Sequence, residues 1–163
     1  MNKITLSTIV LLFFSKILLA NKIDFIIINK QDRQVILYNK GKEVKSFSMS
    51  LGFEPLGKKI KKGDGKTPEG LYFIENKLKE SAFFLALKIS YPNPWDIRRA
   101  LELNYHPGGQ IMIHGIPNHG YDKNYHNSKN DWTEGCIAIS NKEMLFEAPL
   151  PDDFLKILSI LRK

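Results

Sequence analysis

Cysteine is nearly absent from this sequence, which has 163 residues and contains a single one, Cys136. One thiol cannot form a disulfide within its own chain, so the sequence excludes a fold that disulfide bonds hold together. Three roles remain open for Cys136: a buried thiol that packs as a small hydrophobe, a bridge to another chain, or a reactive group. Its neighbours must decide between them.

The sequence also lacks an unbroken apolar run of about 20 residues, the length that crosses a bilayer as a helix. Its most apolar stretch, residues 4–14, follows a lysine, ends before Lys16 and precedes the small residue Ala20. This order predicts a secretory signal peptide over residues 1–20, with retention as a membrane anchor as the alternative because Leu18 is not small. No cysteine lies directly after this segment, so the sequence does not predict a lipid anchor there. We expect a periplasmic, or more generally extracytoplasmic, protein that touches a membrane only if this segment is retained.

Motifs that would indicate a metal or a nucleotide are missing as well. There is no HExxH motif, and the one GKT sequence lacks the first glycine of a phosphate loop because Ile60 occupies that position. A zinc site is the weaker alternative, since loop histidines are more often exposed than bound to metal. Its candidate ligands are His106, His114, His119, Asp122 and His126. We predict neither a metal nor a cofactor.

The composition and the strand patterns indicate the class of fold. With 43% apolar residues, the chain is long enough for one domain with a core, which we place at residues 23–161. Runs rich in β-branched and aromatic residues over 24–29, 34–38 and 43–51 predict an antiparallel meander, and further strands are expected at 71–74, in QIMIHG and in CIAIS. We therefore predict a mainly β fold, a β-sandwich or partly closed barrel of mixed sheets with a few short helices at its edge.

Helices are expected in two places. DIRRALEL has Asp96 in a position to cap it, and NKEMLFEA follows Ser140 and Asn141 as alternative caps. SAFFLALKIS and the final DDFLKILSILRK fit either a strand or a helix. Residues 116–132 form a polar and aromatic stretch that is too long for a simple connection, which indicates a functional loop.

A basic segment, GKKIKKGDGK, lies between the meander and the next strand. It carries Lys58, Lys59, Lys61, Lys62 and Lys66, and the whole chain has a net charge of +7. Such a segment either attracts an anionic polymer or is simply a solvated loop. Export makes nucleic acid the least suitable polymer, so no nucleic-acid partner is predicted. Lys66 is the lysine that we consider for holding a substrate carboxylate.

Cys136 and His114 form the constellation that suggests chemistry. His114 ends one predicted strand and Cys136 begins another, so the two side chains meet at one rim if these strands are neighbours. A free thiol titrates at about pH 8.5, and an adjacent imidazolium favours the nucleophilic thiolate, so we expect a lowered pKa for Cys136. Gly135 permits close backbone approach, which lets the amides of Gly135 and Cys136 point at a developing oxyanion.

Four motifs extend this pattern in order along the chain: GDGKTPEGLYFI, SYPNPWD, IMIHG and DWTEGCIAISNKEM. Together they resemble the L,D-transpeptidase family of bacterial cell-wall enzymes, the YkuD-type catalytic domain, and within it a YafK-like sub-branch. The resemblance implies a mostly β fold, a cysteine nucleophile, a histidine base and reaction with carbapenems. It also implies attack on the L,D peptide bond after diaminopimelate in peptidoglycan stem peptides, through a thioester that an amine or water resolves.

The resemblance assigns roles to individual residues. Cys136 matches the nucleophile and His114 the base, while Gly135 and Gly115 match the glycines that shape the backbone and the oxyanion site. The residues expected to contact substrate are Thr133, Trp132 and Tyr91.

Two positions depart from the family's pattern. Glu134 stands where many members have histidine, and Ala138 where many have arginine or asparagine. A carboxylate that pointed at the thiol would oppose thiolate formation, so we expect Glu134 to face solvent. The missing arginine leaves recognition of the donor peptide unassigned.

These observations predict an exported cysteine enzyme of peptidoglycan remodelling, an L,D-transpeptidase whose partners are stem peptides. The first alternative is a hydrolase of the same fold, either an L,D-carboxypeptidase or an amidase that releases a wall-linked lipoprotein. The second alternative is a wall-binding module without turnover.

The group that orients His114 stays open between a loop histidine, Asp122, Asp131 and a backbone carbonyl. Aromatic residues near the site either pack or stack on sugar rings; they are Trp95, Tyr105, Tyr121, Tyr125 and Trp132.

Overall fold

A computed structural model describes residues 23–120, 130–147 and 157–161. The strands in these ranges are β1 (Phe25–Asn29), β2 (Gln34–Asn39), β3 (Lys42–Ser48), β4 (Gly70–Ser81), β5 (Phe84–Ile89), β6 (Met112–His114), β7 (Ile137–Ala138) and β8 (Ile157–Leu161). The helices are α1 (Pro94–Glu102) and α2 (Asn141–Glu147). The predicted leader and residues 121–129 of the predicted loop lie outside the described residues.

The strands pair in the order β3-β2-β1-β8-β4-β5-β6-β7. Pairing is parallel between β1 and β8 and between β6 and β7, and antiparallel elsewhere, so the sheets are mixed. The long strand β4 serves both halves, because residues 70–73 pair with β8 and residues 74–81 pair with β5. The ladder therefore divides at β4 into two sheets and does not close into a barrel. The predicted mainly β class with short helices is confirmed.

Alternation of side chains along the strands creates the core. Ile26 and Ile28 of β1, and Val35 and Leu37 of β2, are fully buried, while the residues between them are partly exposed. Burying each such side chain contributes about 1.5–3 kcal/mol relative to leaving it in water. One buried cluster joins them to Ile113 of β6 and to β7. The strands that carry the candidate site therefore rest on the main core.

The structure decides the ambiguous segments. SAFFLALKIS contains strand β5, and the described part of the C-terminal segment is β8. Both expected helices are present, but Asp96 is not the cap of α1. Asn93 caps it instead, because its side-chain oxygen accepts from the amides of Trp95 and Asp96, while Asp96 returns the bond to Asn93. Ser140 caps α2 through reciprocal bonds with Glu143. No helix in the described ranges has the length and apolarity to cross a membrane.

A buried lysine anchors the long connection between β3 and β4. Lys30 is 3% exposed, and its ammonium donates to the carbonyl oxygens of Gly57 and Thr67 and to Glu69 Oε1, at 2.8 to 2.9 Å. These bonds tie the end of β1 to both ends of the basic segment. The segment is therefore held at two points by the core of the fold.

Replacing Lys30 with methionine should lower the free energy of unfolding by about 2–4 kcal/mol, because it leaves Glu69 and two carbonyl oxygens without their donor. Urea denaturation measures the change. Lys42→Met, at an exposed position of β3, is the control and should change the free energy by less than about 0.5 kcal/mol. Equal effects of the two substitutions would contradict the anchoring role.

Candidate active site

Strands β6 and β7 are neighbours, as the predicted meeting of His114 and Cys136 requires. Their parallel register pairs His114 with Ala138 and Ile113 with Ile137. Cys136 directly precedes β7, so alternation places it and His114 on the same face of adjoining strands. Both residues line one cavity of about 750 Å³. Cys136 is half-buried, so the residue is not sealed in the core.

A backbone carbonyl holds the imidazole of His114. Its Nδ1 lies 2.7 Å from the carbonyl oxygen of Gly115. Because a carbonyl oxygen only accepts, Nδ1 carries the proton and donates it, which leaves the lone pair on Nε2. Burial lowers the pKa of His114, although the bond to Gly115 works in the opposite direction. The imidazole is therefore neutral at pH 7, the state that a general base requires.

Aromatic side chains pack around this imidazole. The ring centroid of Phe83 lies 4.4 Å from that of His114, and the centroid of Trp132 lies 5.7 Å from it. Phe83 occupies the turn between β4 and β5, beside Phe84, whose φ of 65° is rare for a bulky residue. These rings remove water from the imidazole, which is the physical cause of its lowered pKa.

Gly115 is required by close packing. A Cβ there would lie 2.5 Å from Asn141 Oδ1 and 3.0 Å from the carbonyl oxygen of Phe83. The amide of Gly115 donates to the carbonyl oxygens of Phe83 and Leu85, both at 3.1 Å. The structure therefore does not support a contribution of Gly115 to an oxyanion site, because its N–H is already bonded.

The surroundings of Cys136 favour the neutral thiol. Burial raises its pKa and Glu134 adds to the rise, while a hydrogen bond from the backbone of Met112 and the charge of Lys59 oppose it. The thiol donates to the carbonyl oxygen of Gln110 at 3.6 Å. The expected lowering of the thiol pKa is therefore wrong for this state. The thiol and the imidazole that line this cavity are therefore both neutral at rest, since burial disfavours the charged form of each.

Thr133 fixes the turn before the thiol. Its hydroxyl donates to the carbonyl oxygen of Cys136 at 2.7 Å and accepts from the amide of Gly135 at 3.1 Å. The Gly135 amide, predicted as an oxyanion donor, is thus engaged within the turn, and the amide of Cys136 is the predicted donor that remains. Thr133 lines the cavity, but it is only 4% exposed. Its hydroxyl is bonded internally, so the structure gives no support to substrate contact through that group.

Gly135 allows two chain segments to touch. Its φ is +122°, and a Cβ there would lie 2.5 Å from the carbonyl oxygen of Lys66. A Cβ on Gly52 would lie 2.9 Å from Gly135 Cα. The EGC and GDGKT sequences therefore meet backbone to backbone. This contact explains the need for glycine directly before Cys136.

Trp132 and Tyr91, the other residues expected to contact substrate, lie in different places. Trp132 lines the cavity. Glu134 also lines it and is exposed, as expected for a side chain that faces solvent. Tyr91 is not among the lining residues. Its side chain is 3% exposed within the core, and its hydroxyl donates to the carbonyl oxygen of Pro107 at 2.9 Å. The position of Tyr91 indicates packing rather than substrate contact.

The sequence also raised alternatives for the group that orients His114 and for a metal site. Asp131 binds the guanidinium of Arg33 at 2.7 Å and the amide of Leu51 at 2.8 Å, so it does not orient the imidazole. Within the described ranges, no three potential metal ligands gather. The predictions that fall outside the described residues concern Tyr121, Asp122, Tyr125 and His126.

The cavity is also lined by residues that sequence reasoning did not single out, including Phe83, Lys59 and Lys62. Phe83 lies in SAFFLALKIS, whose tight turn contains no glycine, proline or asparagine to mark it. The two lysines belong to a basic segment in which no pattern distinguishes one lysine from the next. Only the folded chain shows which of them reach the cavity.

The resting charge state predicts a particular pH dependence of thiol alkylation. Iodoacetamide reacts with the thiolate, which forms only as the pH passes the thiol pKa, so the apparent pKa of Cys136 alkylation should lie above that of a free cysteine. Glu134→Gln removes a nearby negative charge and should shift this pKa downward. Mass spectrometry of adduct formation measures both.

Glu102→Gln, at an exposed position of α1, is the control for this experiment and should leave the alkylation profile unchanged. A wild-type apparent pKa below that of free cysteine would contradict the neutral resting pair.

Comparisons with known proteins agree with this fold. The family model of the L,D-transpeptidase catalytic domain, YkuD, matches residues 23–149. A protein of Escherichia coli K12 with the name "Putative L,D-transpeptidase YafK" is 35% identical over 97 residues, and the match covers 56% of this chain and 37% of that protein.

Solved structures show the same fold. The helical cell shape determining protein Pgp2 of Campylobacter jejuni aligns with a TM-score of 0.65 at 26% identity, over 86% of this chain and 48% of that one. Bd1075 of Bdellovibrio bacteriovorus aligns with a TM-score of 0.61 at 22% identity, over 87% of this chain and 49% of that one. The chain thus spans about half the length of these two relatives. Because the family model covers most of its length, this chain belongs to the L,D-transpeptidase (YkuD) catalytic domain family.

Proposed function

We propose that this chain is an exported, cysteine-dependent enzyme that attacks the L,D peptide bond next to diaminopimelate in peptidoglycan and transfers the acyl group to an amine. Family membership supports the reaction class. The observation that carries the proposal is one cavity lined by both Cys136 and His114, with His114 Nδ1 bonded to Gly115 so that Nε2 can accept a proton. Stem peptides of the periplasmic wall are the proposed partners.

In the first step, the proton of the Cys136 thiol moves to Nε2 of His114 while sulfur attacks the carbonyl carbon of diaminopimelate in the scissile peptide bond. The amide of Cys136 is the candidate donor to the developing oxyanion. The carbon–nitrogen bond then breaks, and Nε2 returns its proton to the departing amine, which is D-alanine in a tetrapeptide. A thioester joins the acyl group to sulfur.

In the second step, His114 takes a proton from the acceptor as the acceptor attacks the thioester. The carbon–sulfur bond breaks and the proton returns to the thiolate. An amine acceptor makes the enzyme a transpeptidase, whereas water makes it a carboxypeptidase or an amidase. Both outcomes use the same two side chains.

The neutral resting pair restricts how the first step begins. Burial raises the thiol pKa and lowers the imidazole pKa, so a thiolate and imidazolium formed before substrate binds would be unfavourable. Proton transfer therefore accompanies attack, when the negative charge passes on to the substrate oxygen.

The likeness to Pgp2, whose name describes it as determining helical cell shape, extends the proposal to the shaping of a cell wall.

Cys136→Ala should abolish turnover of tetrapeptide-containing wall fragments, because no other described side chain lining the cavity is a thiol. His114→Gln should lower the rate by about 10²–10⁴-fold, the usual contribution of a positioned base. Mass spectrometry of the products measures both and separates the outcomes. New cross-links indicate transfer, tripeptides indicate a carboxypeptidase, and released lipoprotein indicates an amidase.

His119→Gln is the matched control, because His119 is exposed and does not line the cavity. It should keep wild-type activity, and thermal unfolding should show that all three variants are folded. Identical products from the wild-type chain and Cys136→Ala would contradict the catalytic assignment. No products from either chain would favour a wall-binding module without turnover.

A further inference from the structure

One wall of the cavity is basic and fixed in place. It is lined by Lys59 and Lys62 of the basic segment and by His106 of the next loop. The amide of Lys62 donates to the carbonyl oxygen of His106 at 2.8 Å, which joins the two loops. Gly108 packs directly on this junction, since a Cβ there would lie 3.2 Å from Lys62 Cα. The wall is therefore a structural part of the cavity that contains Cys136.

Asp64 orders the basic segment from within. Its carboxylate accepts from the ammonium of Lys59 at 2.7 Å and from the amides of Ile60, Lys61 and Lys66 at 2.8, 3.0 and 3.1 Å. Burial works to raise the pKa of Asp64, but these hydrogen bonds lower it on balance. The segment is thus built around an ionised carboxylate and is more than a solvated loop.

Four of the five lysines in this segment have a partner for their ammonium group. These are Lys58 with Asp96 at 3.2 Å, Lys59 with Asp64 at 2.7 Å, Lys61 over the ring of Tyr105 at 4.9 Å, and Lys66 with the carbonyl oxygen of Leu56 at 2.9 Å. Lys62 is the exception, because its ammonium has no partner in the part of the chain that the structure describes. It is exposed and also lines the cavity. An unpaired ammonium at this place is available to an anion.

We propose that Lys62 is a specificity-determining residue that binds a substrate carboxylate at the cavity, either the C-terminal one or the one on the diaminopimelate side chain. The inference rests on the proposed function, because the peptide substrate supplies the carboxylate. Lys66, the candidate from the sequence, does not line the cavity and is bonded to Leu56.

Binding to the Cys136→Ala chain tests this inference without turnover. Calorimetry with a stem tetrapeptide should show that Lys62→Gln, added to that chain, weakens binding by roughly fivefold, the effect of one partly exposed ion pair. Raising the salt concentration should shrink this difference, because exposed charges are screened. Lys62→Arg keeps the charge and should restore most of the affinity.

Lys61→Gln is the matched control, because Lys61 is a neighbouring exposed lysine that does not line the cavity. It should leave the affinity unchanged. Equal weakening by Lys61→Gln and Lys62→Gln would overturn the proposal, since it would show a general charge effect of the segment.

Two substrate analogues identify which carboxylate Lys62 binds. One is a tetrapeptide amidated at its C-terminus, and the other has lysine in place of diaminopimelate, which removes the side-chain carboxylate. The effect of Lys62→Gln should disappear with one of them. An effect that persists with both analogues, or no effect with the parent peptide, would overturn the role of Lys62 and leave the proposed function standing. No binding of the parent peptide to the Cys136→Ala chain would overturn the proposed function as well.

Discussion

The site depends on one hydrogen bond, from Nδ1 of His114 to the carbonyl oxygen of Gly115. It sets the tautomer of the imidazole and leaves Nε2 as the nitrogen that can take a proton. The carbonyl is itself held, because the amide of Gly115 donates to two carbonyl oxygens at the turn between β4 and β5. Among the described residues, the imidazole is therefore oriented by a backbone carbonyl rather than by an acidic side chain. An acidic partner would raise the pKa of the imidazole, whereas burial here lowers it.

The position of Cys136 relies on backbone contact in the same way. Gly135 lies against the backbone of Lys66 and close to Gly52, and Thr133 bonds across the turn to the carbonyl oxygen of Cys136. These contacts bring the basic segment against the peptide that carries the thiol. Lys59 consequently lies near enough to favour a negative charge on Cys136, although burial outweighs it in the resting state. Packing thus determines both where the thiol lies and when it ionises.

Much of the fold could be predicted, because strand alternation and β-branched composition report directly on a half-buried sheet. The places of His114 and Cys136 at the ends of two strands also predicted that these strands are neighbours, and both residues line one cavity. What failed depends on tertiary packing. The sign of the thiol pKa shift follows from burial, the amide of Gly135 is bonded to the buried hydroxyl of Thr133 within the turn, and Tyr91 packs inward. Lys62 was indistinguishable from four other lysines until their partners were visible.

The central claim is that His114 rests as a neutral imidazole with its proton on Nδ1. Nitrogen-15 NMR of the histidine ring in the labelled wild-type chain at pH 7 tests it most directly, because the shifts of the two ring nitrogens distinguish both tautomers and the imidazolium. The structure predicts a protonated Nδ1 and an unprotonated Nε2. A ring protonated on both nitrogens, or on Nε2 alone, would contradict the account.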